Sequence, residues 1–234
     1  MLTAMMVLCL GLALIAGSAR ADDARDCVQD KDPDLAIRAC SELIRAHPGN
    51  AVAYNHRGNA FRATGDYDKA IADHTEAIAI DPQYAVAFSN RCSDFVRKLD
   101  PARALPDCNK AIEINARNPV AYFNRGLAYE RAGDYGRAIA DHSKAIELSP
   151  KFARAYNARA WTYFKAGQAT QGLPDAQRAL ELRPDDVAAL DTRGHILEAL
   201  GRRKEAIEDF RKALSKDPTL KESIAAMQRL GVKP

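Results

Sequence analysis

Between Ala51 and Tyr84 the apolar side chains fall into two helical stripes separated by a break. Tyr54 and Phe61, with the small Gly58 between them, share one face; Thr64-Gly65-Asp66 interrupts the pattern, and Ala70, Ile71, Ala77 and Ile78 then carry a second stripe that ends at Asp81-Pro82. Apolar recurrence at three- and four-residue intervals predicts helices and the Gly-containing break predicts a turn, so the segment reads as two helices. The pattern returns every 34 residues: Ala77, Ala111, Ala145, Ala179 and Ala213 stand in phase, as do Pro48, Pro82, Pro150, Pro184 and Pro218, with Ala116 where one proline is missing. A fixed period of this size marks a solenoid, in which each unit buries its apolar face only against its neighbours.

The phase defines five complete units, 51–84, 85–118, 119–152, 153–186 and 187–220. Small residues recur at the eighth position (Gly58, Cys92, Gly126, Ala160, Gly194) and at the twentieth (Ala70, Ala104, Ala138, Gly172, Ala206), where close approach of two helices is expected. Aromatic, small, aromatic, Gly, Ala, Ala and Pro follow at fixed offsets, as in Tyr122-x3-Gly126-x2-Tyr129-x3-Gly133-x-Tyr135-x2-Ala138-x6-Ala145-x4-Pro150. This resembles the tetratricopeptide repeat (TPR), here of an exported bacterial type, and the resemblance holds in register over residues 51–218. It implies an all-α fold, a right-handed α-solenoid of stacked antiparallel helix pairs. Residues 22–50 resemble a divergent opening unit with a shortened first helix, and 221–234, with Ile224, Met227 and Leu230 on one stripe with Leu220, resemble a capping helix.

Composition narrows the partners. The chain is 47% hydrophobic and 28% charged with a formal net charge of only +3, which suits a folded protein and makes no strong electrostatic claim on nucleic acid or a membrane surface. Met5 to Ala16 is a nearly uninterrupted apolar run, and Ala19-x-Ala21 after it has the small residues signal peptidase requires. Residues 1–21 are therefore expected to be a signal peptide cleaved near Ala21, leaving 22–234 as a periplasmic or secreted chain without a membrane span. The first residues carry no Lys or Arg, so an uncleaved anchor competes; the apolar run is short of the ~20 residues that span a bilayer.

Loss of Cys9 with the leader leaves Cys27, Cys40, Cys92 and Cys108, an even number in an oxidising setting. Four cysteines allow three pairings; Cys27–Cys40 and Cys92–Cys108 are favoured because each pair is close in sequence and falls within one predicted hairpin. The competing reading makes them small buried apolar side chains. Neither pair has metal-ligand spacing.

A second ladder runs through the units. Arg57, Arg91, Arg125, Arg159 and Arg193 occupy the seventh position, and Asp73, Asp107, Asp141, Asp175 and Asp209 follow sixteen residues later. In an antiparallel hairpin these positions come opposite each other, so the ladder predicts Arg57–Asp73, Arg91–Asp107, Arg125–Asp141, Arg159–Asp175 and Arg193–Asp209 pairs that set hairpin register. As exposed pairs they would contribute ~0–1 kcal/mol each. Pro106 and Pro174, inside expected second helices, predict a kink or a late start.

The TPR resemblance also implies a concave face built from the first helices, which takes an extended peptide or a partner's helix. Its middle would display Phe123, Leu127, Trp161 and Phe164, flanked by Arg97, Arg131, Arg154 and Lys165. Apolar anchors ringed by cations suit a segment with bulky hydrophobic residues and a carboxylate. The competing reading packs Trp161 and Phe164 into the next unit. Asn55, Asn59, Asn90, Asn124 and Asn157 lie on or beside this face and could bond a ligand's peptide groups. Asn59 and Asn90 match two places of the carboxylate clamp with which some TPR proteins hold chaperone tails, but Asn55, Val120 and Asn124 stand where its lysines and arginine belong, so that specificity is not implied.

Nothing points to catalysis. There is no HExxH, phosphate-cradling glycine loop, nucleophile elbow or CxxC, and His74 and His142, at equivalent positions, read as packing residues. The expected protein is a non-catalytic adaptor of the cell envelope without cofactor or metal, its partner a protein or extended peptide rather than nucleic acid. A structural subunit of an envelope or secretion assembly, binding through edges or its convex face, is the second reading, and a small-ligand carrier the third.

Overall fold

The computed structural model describes residues 22–29 and 31–234. The apolar leader, Cys9 and the expected cleavage near Ala21 lie outside the described residues. Helices make up all the regular structure among those described: α1 (22–27), α2 (Pro33–Ala46), α3 (Ala51–Ala63), α4 (Tyr67–Ile80), α5 (Ala85–Arg97), α6 (Pro101–Ile114), α7 (Pro119–Arg131), α8 (Tyr135–Leu148), α9 (Ala153–Lys165), α10 (Ala169–Leu182), α11 (Val187–Ala199), α12 (Arg203–Lys216) and α13 (Lys221–Arg229). They form two compact bodies, an N-terminal one ending at Ile114 and a C-terminal one, Asn115–Pro234. Inside each body a first helix packs along its second helix, and that pair packs on the next, which makes the fold an all-α solenoid. In the C-terminal body α13 closes the series by packing on α12 and α11.

Each hairpin turn is built the same way. The first helix ends with Gly65, Gly133, Gly167 or Gly201 at positive φ, and two backbone bonds close the end, as in Gly65 N–H to the Arg62 carbonyl and Asp66 N–H to that of Phe61. These are the reversed bonds that satisfy a helix's last carbonyls when the next residue is left-handed. In the unit 85–118 the same place is held by Leu99, at φ 58° and exposed. Asp66, Asp100 and Asp134 then accept from backbone N–H groups of the following turn and start the second helices.

The eighth and twentieth positions turn out to serve different contacts. At the twentieth, a Cβ on Gly172 would lie 2.7 Å from the Ala160 carbonyl oxygen, so the two backbones themselves come close. At the eighth, the space is filled by the side chain at position twenty-four of the same hairpin. A Cβ on Gly58 would meet the His74 ring at 2.7 Å, one on Gly126 the His142 ring at 2.5 Å, and one on Gly194 the Phe210 ring at 2.6 Å. The unit 85–118 puts Cys92 opposite Cys108 there, bridged with Cα atoms 5.5 Å apart. The unit 153–186 has alanine on both sides, and Ile196 of the next unit fills the gap. Cys27 and Cys40, bridged with Cα atoms 4.7 Å apart, tie the short α1 to α2.

All five ladder arginines donate two hydrogen bonds, Nε and Nη2, to the two oxygens of their aspartate, at 2.6 to 2.8 Å. These pairs are not the exposed contacts the sequence reading assumed. The aspartate side chains retain only 7 to 10% of their exposure, and in four of the five hairpins an aromatic ring lies against the guanidinium, as with Arg57, 5.5 Å from the Tyr54 ring centre and 6.0 Å from that of Phe61. Hydrogen bonding to the aspartate pushes the pKa of Arg57, Arg125, Arg159 and Arg193 up against the opposing effect of burial. A pair this sheltered stabilises little net, but removing one member strands the other. Arg57, Arg91 and Arg159 also donate through Nη1 to Ser41, Thr75 and Ser143 on the preceding second helix.

The prolines do not delay their helices. α6 and α10 are as long as the other second helices of the units, at 14 residues, and run through Pro106 and Pro174. Each proline is the sixth helical residue, so only one or two intrahelical donors precede it, and the loss is confined to the helix's first turns.

Candidate functional site

In the C-terminal body α7, α9, α11 and α13 lie side by side, each packed on the next. They form a cleft of about 630 Å³. Leu127 and Trp161 supply apolar lining, Arg131 and Arg154 supply cations, and Asn157, whose Oδ1 has no hydrogen-bond partner among the described residues, adds an amide. Trp161 is half-buried, with its ring 5.1 Å from Phe164 and edge-on to His195 at 5.8 Å. Its outer part remains in the cleft.

Other residues expected on this face are committed to packing. Phe164 sits against the Ala160, Ala176 and Ile196 cluster and stacks on His195, outside the cleft lining. Phe123 reaches the cleft at its edge but is buried, with its ring 5.1 Å from Phe152 and 5.7 Å from His142; Arg154 covers it at 5.4 Å. Asn124 is buried. Lys165 stays exposed at the end of α9.

The sequence reading missed the acids. Glu130, Asp186, Asp191 and Glu222 also line the cleft. Glu130 is held above the usual carboxylate range by burial, eased by the Thr162 hydroxyl that donates to it at 3.3 Å and by Arg131 and Lys165. Asp186 caps α11 and pairs with Arg183 at 3.0 Å, while Asp191 accepts from the Ser223 hydroxyl. A signal existed: Glu222 falls at position two of the 34-residue frame, as Arg154 does, and Asp191 at position five, as Phe123 and Asn157 do.

The N-terminal body has a cleft of about 760 Å³ of different character, lined by His56, Asn59, Arg62, Tyr67 and Arg97, with no acidic residue among the described residues of its wall. Beneath it lies a buried polar network. Asn90 donates to Asn55 at 2.9 Å, Arg62 donates to Asn59 at 2.6 Å and lies 3.5 Å from Asp94 Oδ1, and His74 Nδ1 is 2.6 Å from Asp94 Oδ2. Asn55, His74 and Asp94 are buried. Asn55 and Asn90 thus bond each other. His142, at the position equivalent to His74, has no partner for either ring nitrogen among the described residues, and burial, with Arg159 adding to it, pushes its pKa down to about 3.

No group of three or more His, Cys, Asp or Glu among the described residues is placed to hold a metal ion, and no helix among them is long and apolar enough to cross a membrane. Three sequence models, each described as the tetratricopeptide repeat, match the chain: one over 51–84 and 119–152, a second over 187–220 and a third over 143–173. No curated protein matches. Among solved structures, PilW, described as a widely conserved type IV pilus biogenesis factor, is 20% identical with TM-score 0.75, covering 92% of this chain and 98% of its own. A tetratricopeptide repeat protein from Parabacteroides merdae ATCC 43184 is 21% identical with TM-score 0.69, over 85% of this chain and 77% of its own. YrrB, described as a TPR protein with an unusual peptide-binding site, is 19% identical with TM-score 0.57, over 81% of this chain and 98% of its own. At these identities the likeness is one of fold.

Proposed function

Because this chain belongs to the tetratricopeptide repeat family, we propose that it is a non-catalytic adaptor that binds a protein segment along the cleft of its C-terminal body. The observation that carries this reading is Trp161: a large, half-buried ring that lines the cleft together with Leu127 and the cations Arg131 and Arg154. A half-exposed aromatic among polar groups is the usual composition of an interaction hot spot. Asn157 also lines the cleft, and the peptide-binding site in YrrB's description is in keeping with a peptide ligand. We place the adaptor in the cell envelope. The apolar leader supports export, and the two bridged cysteine pairs suit an oxidising compartment.

Photo-crosslinking in the native host tests the binding face. A crosslinker at Leu127 is expected to trap a partner, and one at the exposed Arg211 on α12 is not. Adducts from position 211 alone would favour the second reading, a structural subunit that makes contacts away from the cleft, which the fold likeness to PilW keeps in play. N-terminal sequencing of the exported chain is expected to start at Asp22; a chain still beginning at Met1 defeats the cleavage proposal.

A further inference from the structure

Across the row of helices that forms the cleft, the cations stand on α7 and α9 and the acids Asp191 and Glu222 on α11 and α13. Arg131 is in the last turn of α7 and Arg154 in the first turn of α9. Next to them in the row come α11, which contributes Asp191, and α13, which contributes Glu222. Two further acids do not blur this order. Glu130, on α7, is largely buried and its charged form is disfavoured there by desolvation, and Asp186 is occupied by the α11 N-terminus and Arg183. The exposed part of Trp161, on α9, and Leu127, on α7, give the apolar floor.

We infer that the cleft selects a zwitterionic segment, with acidic side chains at one end to meet Arg131 and Arg154, basic side chains at the other to meet Asp191 and Glu222, and a bulky apolar residue between them for Trp161. This rests on the peptide-binding reading of the same cleft, and charge complementarity is what fixes the ligand's class. Charges at a solvated rim act chiefly on encounter, register and the rejection of wrong partners, so selection should exceed the gain in tightness and fade with salt. A uniformly acidic ligand would set its far end against Glu222 and Asp191. The capping helix therefore has a second role, since it brings Glu222 to the cleft.

Trp161 is the chain's only tryptophan, so its emission reports occupancy at this place and nowhere else. The full mature chain would be titrated at low salt with four twelve-residue peptides: one with acids at one end, Leu-Phe-Leu in the middle and lysines at the other; one of the same composition with its charges mixed; one all-acidic; and one all-basic. The segregated peptide is expected to bind tightest, by roughly fivefold over the others, the size that a few exposed charge pairs supply. Glu222→Lys should shift preference toward the all-acidic peptide and Arg131→Glu toward the all-basic one, while circular dichroism stays unchanged. If the mixed or the all-acidic peptide binds as well as the segregated one, or if the two reversals leave the ranking unmoved, the polarity inference is overturned and the groove reading survives. If none of the four alters Trp161 emission or binds by calorimetry, both are overturned together.

Discussion

His74 in the N-terminal body and His142 in the C-terminal body occupy the same repeat position, both buried and both seated against a glycine, yet their chemistry differs. The difference comes from one residue of the following unit. Position ten is Asp94 after His74 and Thr162 after His142; the aspartate engages its histidine at 2.6 Å, whereas the Thr162 hydroxyl is turned to the Ala158 carbonyl and Glu130. One imidazole becomes part of an Arg62–Asp94–His74 network and the other is an unpartnered polar ring in an apolar site. Packing is set by a residue's place in its own unit, while its polar partner comes from the neighbour's.

The strongest break of this comparison is Asp94→Ala, which leaves His74 and Arg62 facing a void. It should cost about 3–5 kcal/mol, as loss of one partner in a buried ionic network does, read from urea unfolding by circular dichroism. Replacing both Cys92 and Cys108 by alanine reproduces the alanine pair that the unit 153–186 carries at these positions, so it isolates the bridge from the packing. A destabilisation of about 3 kcal/mol relative to the parent is expected under oxidising conditions, and the difference should vanish when both proteins are compared in dithiothreitol, which opens the Cys27–Cys40 bridge in each.

Phenylalanine in place of each histidine sharpens the contrast, since Phe210 shows that a phenyl ring fits behind the glycine of this hairpin. His142→Phe should stabilise by about 1 kcal/mol by removing unsatisfied polar atoms, and His74→Phe should destabilise by about 1–3 kcal/mol by taking one of its two partners from the buried Asp94. The pH dependence follows from His142. Its folded pKa of about 3 lies below an ordinary histidine's 6.5, so the unfolded chain binds more protons between those values; stability is fully present above 6.5 and is lost as pH falls toward 3. His142→Phe should flatten urea midpoints measured across that window, and an unchanged slope would refute the assignment. The smallest effect concerns the turns: Leu99→Gly should stabilise by roughly 0.5–1 kcal/mol, because among the described residues only this hairpin turn places a side chain at positive φ.

Much of this was legible in the sequence because solenoid packing is local and repeats with the chain. The hairpin boundaries, the turn glycines and the positions of the ladder pairs all follow from the 34-residue phase. What was not legible depends on contacts outside a single unit. For Phe164 the sequence left two readings, an inner-face anchor or packing into the next unit, and its contacts with Ile196 and His195 of that unit favour the second. The ladder's burial was missed because the pairs were read as exposed surface contacts, without the side chains that shelter them. The acids of the cleft went unread because the position rule that found Arg154 was not carried on to Asp191 and Glu222.

The third nitrogen of the ladder arginines has a consequence for how this chain comes apart. Because Arg57, Arg91 and Arg159 reach past their own hairpin to a hydroxyl on the preceding one, opening a unit deprives its neighbour of a bond at the same moment as it exposes the neighbour's apolar face. In a linear array, coupling between adjacent units decides whether the ends fray or whole blocks melt. These side chains raise that coupling, so heating should release several repeats in one cooperative step, and amide exchange should reach neighbouring hairpins at similar rates.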